Sequence, residues 1–491
     1  MTARRGAAAV LLGVAAMAVV CRTQDTVKTI SSAAELIAWH NEVFTSSTTV
    51  TANVKLMGDI VFDAQTSQNL PIGRVYNTAF SGTFDGNGHT IKGLQVNTTS
   101  NAGLFVKLVN ATVKNLVIDG TCSFVTSGSF AGGLSGTASG TVLIENVTNN
   151  AVVSGSSFTG GFVGRIEDGN ATFNKCNNGG TIIAINSERN AYIGGIVGFA
   201  VGFTETLVMN EVTNGGIIKA SGDSAKAGGI VGESDAAQMI VDEAINTGNI
   251  EATSNTLEAD CGGIVGQIGS GNVTIMKSKN GGNINTNGSG SISSAHSGGI
   301  VGYIWSGSTT IVNCNNDGAV ASASSEYDAY SGGIVGDTLS STVSMSFKEV
   351  TNRGNIRSDG NSSAYTGGIV GSLKATQTVI DQATNAANIE TTANTFNAFS
   401  GGFIWYIHSV STTITNSNNG GNITAASRGF RAHSGGIVGS LTSTQTAIDN
   451  ATNTGNVETS ASTLRSFSGG IVGFIEANTT IRNSANGGKI T

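Results

Sequence analysis

Three aspartates occupy one position of a repeated sequence and are the carboxylates that could do acid–base chemistry. Asp242, Asp381 and Asp449 each lie 14 residues after the start of a double glycine. If each repeat is one coil of a stack spaced about 4.8 Å apart, Asp242 is too far from the other two to act on a shared substrate. Asp381 and Asp449, roughly 10 Å apart, only approach the spacing of an inverting glycosidase. No third group joins them, and we predict no catalytic residue and no enzyme.

A second column holds aromatic and imidazole rings two residues before the double glycines. Lys226 and Asp260 interrupt it. The rings form either a structural stack along a corner or an exposed stripe that binds glycans or partner proteins. The interruption favours partial exposure, because a lone charge is costly in a sealed column. The candidate binding residues are Phe130, Phe158, Tyr192, His296, Tyr330, Tyr365, Phe399, His433 and Phe467.

Cysteine and histidine positions predict neither a metal site nor a disulfide. Cys176 and Cys314 share a repeat position four coils apart, about 19 Å, and a disulfide needs Cα atoms within about 7 Å. We predict free buried thiols at Cys122, Cys176, Cys261 and Cys314. His89 and Asp85, in "FDGNGHTIKG", are predicted to form a turn network. The chain lacks a P-loop, H-E-x-x-H and G-x-S-x-G, and we expect no cofactor.

These columns exist because the chain repeats. After a first step of 28 residues, the double glycines recur every 34 to 36 residues, and eight of them continue as Gly-Gly-Ile-Val-Gly. A Thr/Ile/Val segment follows each and leads to an Asn. Apolar residues show no helical period. The double glycines begin at Gly132, Gly160, Gly194, Gly228, Gly262, Gly298, Gly332, Gly367, Gly401, Gly435 and Gly469.

The repeat predicts an all-β fold, a single-stranded right-handed parallel β-helix (β-solenoid) of about 34-residue repeats with a short N-terminal capping helix. The period allows one coil per repeat or two short ones. We expect Ile and Val to stack inside, Gly to provide tight corners with positive φ, and Asn to adopt the left-handed conformation and hydrogen-bond along the axis. An open last coil would leave a strand edge for self-association.

Composition supports a folded β protein, and the N-terminal segment predicts that it is exported. Of 491 residues, 69 are Gly and one is Pro, and 39% are hydrophobic, which excludes a disordered chain. A basic start and an apolar run to Cys21, too short for a stable membrane span, predict a signal peptide and a secreted or cell-surface location. Loss of Arg4 and Arg5 with it would change the formal net charge from −7 to −9. That charge disfavours nucleic acid as a partner.

The chain divides into a signal peptide at 1–21, an N-terminal cap with the first coils at 22–120, and the repetitive β-helix at 121–491. Ser32 and Glu35 form a capping box, and Leu36, Trp39 and Val43 mark one helical face. Ten N-x-S/T sequons are glycosylation candidates in a eukaryotic host. They are Asn97, Asn110, Asn146, Asn170, Asn272, Asn287, Asn361, Asn422, Asn450 and Asn478.

Three stretches together resemble a known group. "FSGTFDGNGHTIKGLQV" at 80–96, "AGLFVKLVNATVKNLVIDG" at 102–120 and the serial "GGIVG" are similar to GLUG-repeat extracellular proteins, with Ile mostly replacing the Leu of that motif. The resemblance covers roughly 50–491 and extends, more distantly, to polymorphic outer-membrane protein repeats. It implies a large surface or secreted protein, a class that includes adhesins and non-catalytic regions of secreted peptidases.

Together these features predict a secreted or cell-surface repeat protein that acts as a non-catalytic, adhesin-like binding module or scaffold. Its partners would be glycans or surface proteins. A structural surface-coat rod is the first alternative, favoured if the ring column is buried. A polysaccharide-degrading β-helix enzyme is the second, favoured only if carboxylates converge on one face.

Overall fold

The computed structural model describes residues 27–43, 49–63, 78–185, 188–463, 465–476 and 478–491. The predicted signal peptide lies outside these ranges. Within them the chain forms one helix, Ala33–Val43, and parallel strands stacked as a β-solenoid of about 12 turns. The predicted fold class is confirmed.

Strand register shows one coil per repeat. Gly160 pairs with Gly194, and Gly194 pairs with Gly228, in parallel strands of adjacent coils. The alternative of two short coils per repeat is therefore wrong. Each residue lies directly against its equivalent one repeat away, so any position of the repeat becomes a column along the rod.

Three sheets form the walls of the solenoid. Sheet I ends each strand at the first glycine of the motif. It contains Phe130–Gly132, Phe158–Gly160, Ala191–Gly194, Ala225–Gly228, Glu258–Gly262, Ser294–Gly298, Ala329–Gly332, Ala364–Gly367, Asn397–Gly401, Arg431–Gly435 and Arg465–Gly469. Sheet II contains Gln95–Thr98, Ser123–Thr126, Val152–Gly155, Ile182–Ile185, Ile218–Gly222, Ile250–Ser254, Ile284–Gly288, Val320–Ser324, Ile356–Gly360, Ile389–Ala393, Ile423–Ser427 and Val457–Ala461.

Sheet III is the largest, because some of its strands continue through a corner and so join two walls of the solenoid into one sheet. Its N-terminal strands are Lys28–Ile30, Val50–Leu56, Ile60–Val61, Phe80–Asp85, Thr90–Lys92 and Phe105–Ile118. The strands that follow the double glycines are Ser135–Ser139, Val163–Ile166, Val197–Ala200, Val231–Ser234, Val265–Ile268, Val301–Val312, Val335–Lys348, Val370–Leu373, Ile404–Ile407, Val438–Leu441 and Val472–Ile475.

Sheet III continues with the Thr/Ile/Val strands and then with two-residue strands that end on the repeated Asn. The former are Thr141–Asn149, Gly169–Asn174, Thr204–Asn210, Gln238–Asp242, Asn272–Met276, Ala375–Asp381, Ser411–Thr415, Gln445–Asp449 and Asn478–Arg482. The latter are Asn177–Asn178, Thr213–Asn214, Ile245–Asn246, Lys279–Asn280, Asn315–Asn316, Thr351–Asn352, Thr384–Asn385, Asn418–Asn419, Thr452–Asn453 and Ala485–Asn486.

The motif's aliphatic residues fill the interior as predicted. Ile300 and Val301 are fully buried, as are their equivalents in most other coils, and one apolar cluster continues from Ile30 to Val457. In the last coil the aliphatic side chains are more open, and Ile481 and Ile490 are exposed. Self-association through this coil stays a prediction.

The double glycines act through close approach and not through positive φ, so this part of the prediction is wrong. None of those described has positive φ. A Cβ on Gly298 would overlap the carbonyl oxygen of Val301, and one on Gly299 would overlap that of Gly333 and the side chain of Asn316. Only a residue without Cβ fits at this corner.

The repeated Asn does not adopt the left-handed conformation either. That conformation, with φ near +50°, belongs to the residue three positions earlier, such as Lys277, Asn313 or Glu349. The predicted hydrogen bonds along the axis are confirmed. Asn316 Nδ2 donates to Asn352 Oδ1 at 2.8 Å and to the carbonyl oxygen of Gly318 at 2.9 Å. The same bond links eleven asparagines from Asn149 to Asn486, at 2.7–3.2 Å.

The helix closes the N-terminal end of the apolar core. Ser32 Oγ accepts a hydrogen bond from the Glu35 amide at 3.3 Å, whereas the Glu35 carboxylate accepts from the amide of Ser31 and not of Ser32. The second hydrogen bond of the capping box therefore comes from the amide of Ser31, one residue before the predicted donor. Leu36 and Trp39 are buried, and Trp39 meets Phe80 edge to face with ring centroids 6.3 Å apart. The side chain of Val43 lies outside the described part.

Candidate functional site

The predicted ring column forms two stacks on the outer face of sheet I, from Phe130 to Tyr192 and from His296 to Phe467, with Lys226 and Asp260 between them. Neighbouring rings lie with centroids 4.6–5.9 Å apart. His296, Phe399 and His433 are buried, and the other six rings are half-buried. The column therefore matches neither sequence hypothesis completely: its rings are packed, but its outer edge remains accessible.

A second column, missed in the sequence, faces the rings. Its side chains lie five residues after the double glycine on sheet III and pack against the ring column. Tyr303 stacks on His296 at 4.7 Å, and Phe199 stacks on Tyr192 at 5.2 Å. This facing column consists of Thr137, Arg165, Phe199, Glu233, Gln267, Tyr303, Asp337, Ser372, Tyr406, Ser440 and Phe474.

The two columns are the walls of a groove, here called the ring groove, and the third glycine of each motif is its floor. A Cβ on Gly302 would lie 2.5 Å from the carbonyl oxygen of Gly266 and 2.6 Å from that of Cys261. In the coil of Gly302, such contacts leave no room for a side chain. Trp405 stands at this position in "GGFIW", the single coil among the eleven without the third glycine.

Charged residues fill the middle of the groove in complementary pairs. Lys226 Nζ lies 3.0 Å from Glu233 Oε2 across the groove. His296 Nδ1 lies 2.7 Å from Asp260 Oδ1, and its Nε2 lies 3.9 Å from Asp337 Oδ2. The premise that Lys226 and Asp260 are lone charges is wrong, because Asp260 is fully buried and each charge has a partner. The partial exposure inferred for the column is nevertheless found in its six half-buried rings. We call the five residues of these pairs the buried charge cluster.

Burial raises the pKa values of two carboxylates of this cluster. It raises the pKa of Glu233 to about 7, against the opposing effect of Lys226, and it also raises the pKa of Asp337. Burial lowers the pKa of His296, but the hydrogen bond and charge of Asp260 outweigh it, and the pKa is raised. These carboxylates converge on one face, but they are enclosed and ion-paired.

The groove opens around Trp405. Its indole lies flat on Phe399, with centroids 4.0 Å apart and planes 9° apart. The facing column is small on both sides of Tyr406, at Ser372 and Ser440, and a cleft opens beside each serine. One cleft, of about 280 Å³, is lined by Tyr330, Tyr365, Ser372, Lys374, Phe399, Trp405 and Tyr406. The other, of about 440 Å³, is lined by Phe399, Trp405, Arg431, His433, Ser440, Thr442, Arg465, Phe467, Phe474 and Glu476.

His433 in the larger cleft is a buried polar ring without a protein partner. It is 6% exposed, and neither ring nitrogen has a hydrogen-bond partner among the described residues. Burial, and next the charge of Arg431, lower its pKa to about 4. At neutral pH the imidazole is therefore uncharged, with one donor and one acceptor nitrogen.

The three aspartates do not form a site in the structure. Strand register places Asp242 and Asp381 four coils apart and Asp381 and Asp449 two coils apart, as predicted. Asp381 accepts hydrogen bonds from Thr415 at 2.8 Å and Asn416 at 2.9 Å, which lower its pKa. These carboxylates serve the contacts between coils.

All four predicted thiols are free and buried, which confirms that prediction. Burial raises the pKa of Cys122 to about 11 and the pKa values of the other three to about 12. In the N-terminal turn, Asp85 accepts from the Asn87 amide and from Asn115 Nδ2. His89 instead faces Asp59, with Nδ1 3.6 Å from Oδ1.

The predicted glycosylation sequons all lie on the surface. Eight of the ten asparagines are exposed, and Asn170 and Asn361 are half-buried. Their modification stays a prediction. Across the described ranges, no group of three or more His, Cys, Asp and Glu side chains is arranged to hold a metal ion. Over the same ranges the helical segment is too short and too polar to cross a bilayer.

Comparison with known proteins yields one short sequence match and one weak structural match. No protein-family model matches the chain, so the resemblance to GLUG-repeat proteins stays a prediction. Over 99 residues the chain is 39% identical to halomucin from Haloquadratum walsbyi, a stretch that is 20% of this chain and about 1% of the length of halomucin. A crystal structure described as a putative immunoglobulin A1 protease from Bacteroides ovatus aligns with 75% of this chain and over 78% of the length of its own chain. The sequence identity is 17% and the TM-score is 0.29, so the likeness is too weak to inform fold or function.

Proposed function

We propose that this protein is a secreted or cell-surface, non-catalytic binding protein that holds its ligand in the ring groove beside Trp405. The observation that carries the proposal is the pair of aromatic clefts on either side of that tryptophan. Cavities of roughly 300 Å³ or more, with apolar walls and a few polar groups, are the usual form of ligand sites. The sequence features of a secretory signal support the location.

The repeat itself supports a binding role for this segment. Ten coils keep glycine at the groove floor, where a side chain would collide with backbone, and one replaces it with the largest side chain. Packing explains the ten glycines, and it also explains much of the tryptophan, which is 6% exposed and lies flat on Phe399. The indole nevertheless lines both clefts, and aromatic rings supply large, rigid contact surfaces for a ligand.

A structural rod is the second candidate, and the filled part of the groove favours it. Between Phe130 and Phe199 the walls stack on each other, with Arg165 over the rings of Phe130 and Phe158 at 5.7 and 5.5 Å. There the side chains of the two walls occupy the groove between them. In this view the open segment is a local binding site on a rod that mainly spans distance.

The test is retention of neutral and acidic glycans, and of surface proteins, by the immobilised purified chain, with released products measured in the same samples. We expect retention without products. A Trp405→Gly variant, which restores the motif of the other coils, should lose retention while keeping its circular dichroism spectrum. Release of shortened glycans would overturn the non-catalytic assignment. Absence of retention for every ligand would leave the structural rod.

A further inference from the structure

We infer that the larger cleft beside Trp405 is a subsite for a carboxylated sugar. This inference rests on the proposed function and names its ligand class. The cleft, whose lining also includes the carboxylate of Glu476, joins two adjacent guanidinium groups, a neutral imidazole without partners and aromatic walls. Each of these features points to a different part of one ligand.

The first feature is a pair of arginines in register. Arg431 and Arg465 occupy the same position of adjacent coils, are exposed, and line the cleft. Within the described ranges, neither has a carboxylate within 4 Å, although the chain carries a net negative charge. Guanidinium groups bind carboxylates through two parallel hydrogen bonds, so the pair fits an anionic group from the ligand.

The second feature is His433, at the bottom of the cleft. Its nitrogens are buried without partners, and a buried polar atom without a hydrogen bond costs about 1–3 kcal/mol, so a ligand that supplies the bond gains that amount. An uncharged imidazole donates one hydrogen bond and accepts another, which matches sugar hydroxyls. Ser440 and Thr442 add hydroxyl groups on the opposite wall.

The third feature is the apolar surface. Phe467 and Phe474 are half-buried rings 5.7 Å apart, and they close the cleft opposite Phe399 and Trp405. The C–H face of a pyranose ring buries apolar area against such rings while its hydroxyls remain at the edge. An acidic peptide would use the arginines but presents no comparable flat face. The combination therefore favours a uronate or sialate over an acidic protein segment.

The experiment measures dissociation constants by calorimetry on the full purified chain. The probes are an oligosaccharide containing glucuronate, the same oligosaccharide with its carboxylates reduced to alcohols, sialyllactose with lactose as its neutral control, and a polyglutamate peptide. We expect a carboxylated sugar to bind at least about tenfold more tightly than its neutral counterpart, since charge-assisted bonds contribute that much. The two sugar pairs distinguish an internal uronate from a terminal sialate.

Variants assign the effect to the cleft. Arg431→Gln and Arg465→Gln should each weaken binding of the carboxylated sugar about tenfold and leave the neutral sugar unchanged. His433→Phe, a ring found at this position in both neighbouring coils, should weaken both sugars. Arg428→Gln is the matched control, because Arg428 is exposed nearby, bonds to Asn394 at 3.0 Å and does not line the cleft.

Four results would overturn the inference. The carboxylated and reduced sugars could bind equally well, both to the wild type and to Arg431→Gln and Arg465→Gln. The protein would then bind neutral glycans, and the proposed function would stand. Equally tight binding of polyglutamate would assign the cleft to acidic peptides. If the chain binds none of these probes but retains another glycan of the panel, carboxylated sugars are excluded as the ligand class. If the chain retains no ligand at all, the proposed function is refuted as well.

Discussion

Stability should fall as pH rises from 5 to 8, and Glu233 should be a main cause. Its side chain is 9% exposed, and burial raises its pKa from 4.5 to about 7. An acid with a raised pKa stabilises the folded state below its unfolded pKa, and that stabilisation is lost as pH rises through the folded pKa. A shift of this size corresponds to about 2–3 kcal/mol lost between pH 5 and 8. The raised pKa values of Asp337 and His296 act in the same direction.

The assay is urea unfolding of the wild type and Glu233→Gln at pH 5, 6, 7 and 8, with hydrogen exchange of Val231–Ser234 as a local readout in case the coils unfold in segments. The variant keeps the shape of the side chain but cannot ionise, so its curve should be flatter by about 2–3 kcal/mol. Glu251→Gln is the control, because Glu251 faces Lys219 on the surface at 3.6 Å. Equal slopes for the wild type and Glu233→Gln would refute the reasoning.

Three further predictions test the coil contacts. Gly299→Ala should prevent folding of the purified chain or lower its free energy of unfolding by more than about 4 kcal/mol, because the added Cβ would overlap the backbone of the next coil. Gly281→Ala is the control: its added Cβ would have no neighbouring atom closer than 3.8 Å, so the free energy of unfolding should change by less than about 0.5 kcal/mol. Equal effects of the two substitutions in urea titrations would contradict this prediction. Asn316→Ala should cost about 2–4 kcal/mol, because one N–H of Asn280, the Oδ1 of Asn352 and the carbonyl oxygen of Gly318 each lose the bond to Asn316. The exposed Asn285→Ala should be nearly neutral in the same titrations. The four described thiols should resist iodoacetamide at pH 8 in native protein and react after denaturation, as mass spectrometry would show; rapid native labelling would contradict their burial.

The fold was predictable because a solenoid rewards the same residue at the same place in each coil. Ile, Val and the ladder asparagines signal their roles through their types alone. The role of the double glycines was not predictable, since a sequence does not distinguish a need for positive φ from a need for no Cβ. The structure shows the second at Gly298 and Gly299.

The candidate site was only half predictable. The ring column was visible because its members share a residue type. The facing column was not, because Arg165, Glu233 and Ser372 have nothing in common except the neighbours they complement. Two signals were nevertheless present: the pairing of Lys226 with a carboxylate seven residues later, and "GGFIW", where a tryptophan replaces the glycine of the other coils. Alignment of every repeat position, and not only the repetitive ones, would have found both.

Because each repeat forms one coil, the number of coils can change without changing the contacts between neighbouring coils. Each coil offers the next the same surface that it received from the last, and Asn352 already binds Asn385 with the geometry that Asn385 uses for Asn419. Excision of residues 160–193 would give Asn149 the partner Asn214, would remove one step of about 4.8 Å and would leave the coils around Trp405 unchanged. Reach can therefore be changed by copying or losing whole blocks, while the segment around Trp405 is carried along at a chosen distance from the helix-capped end.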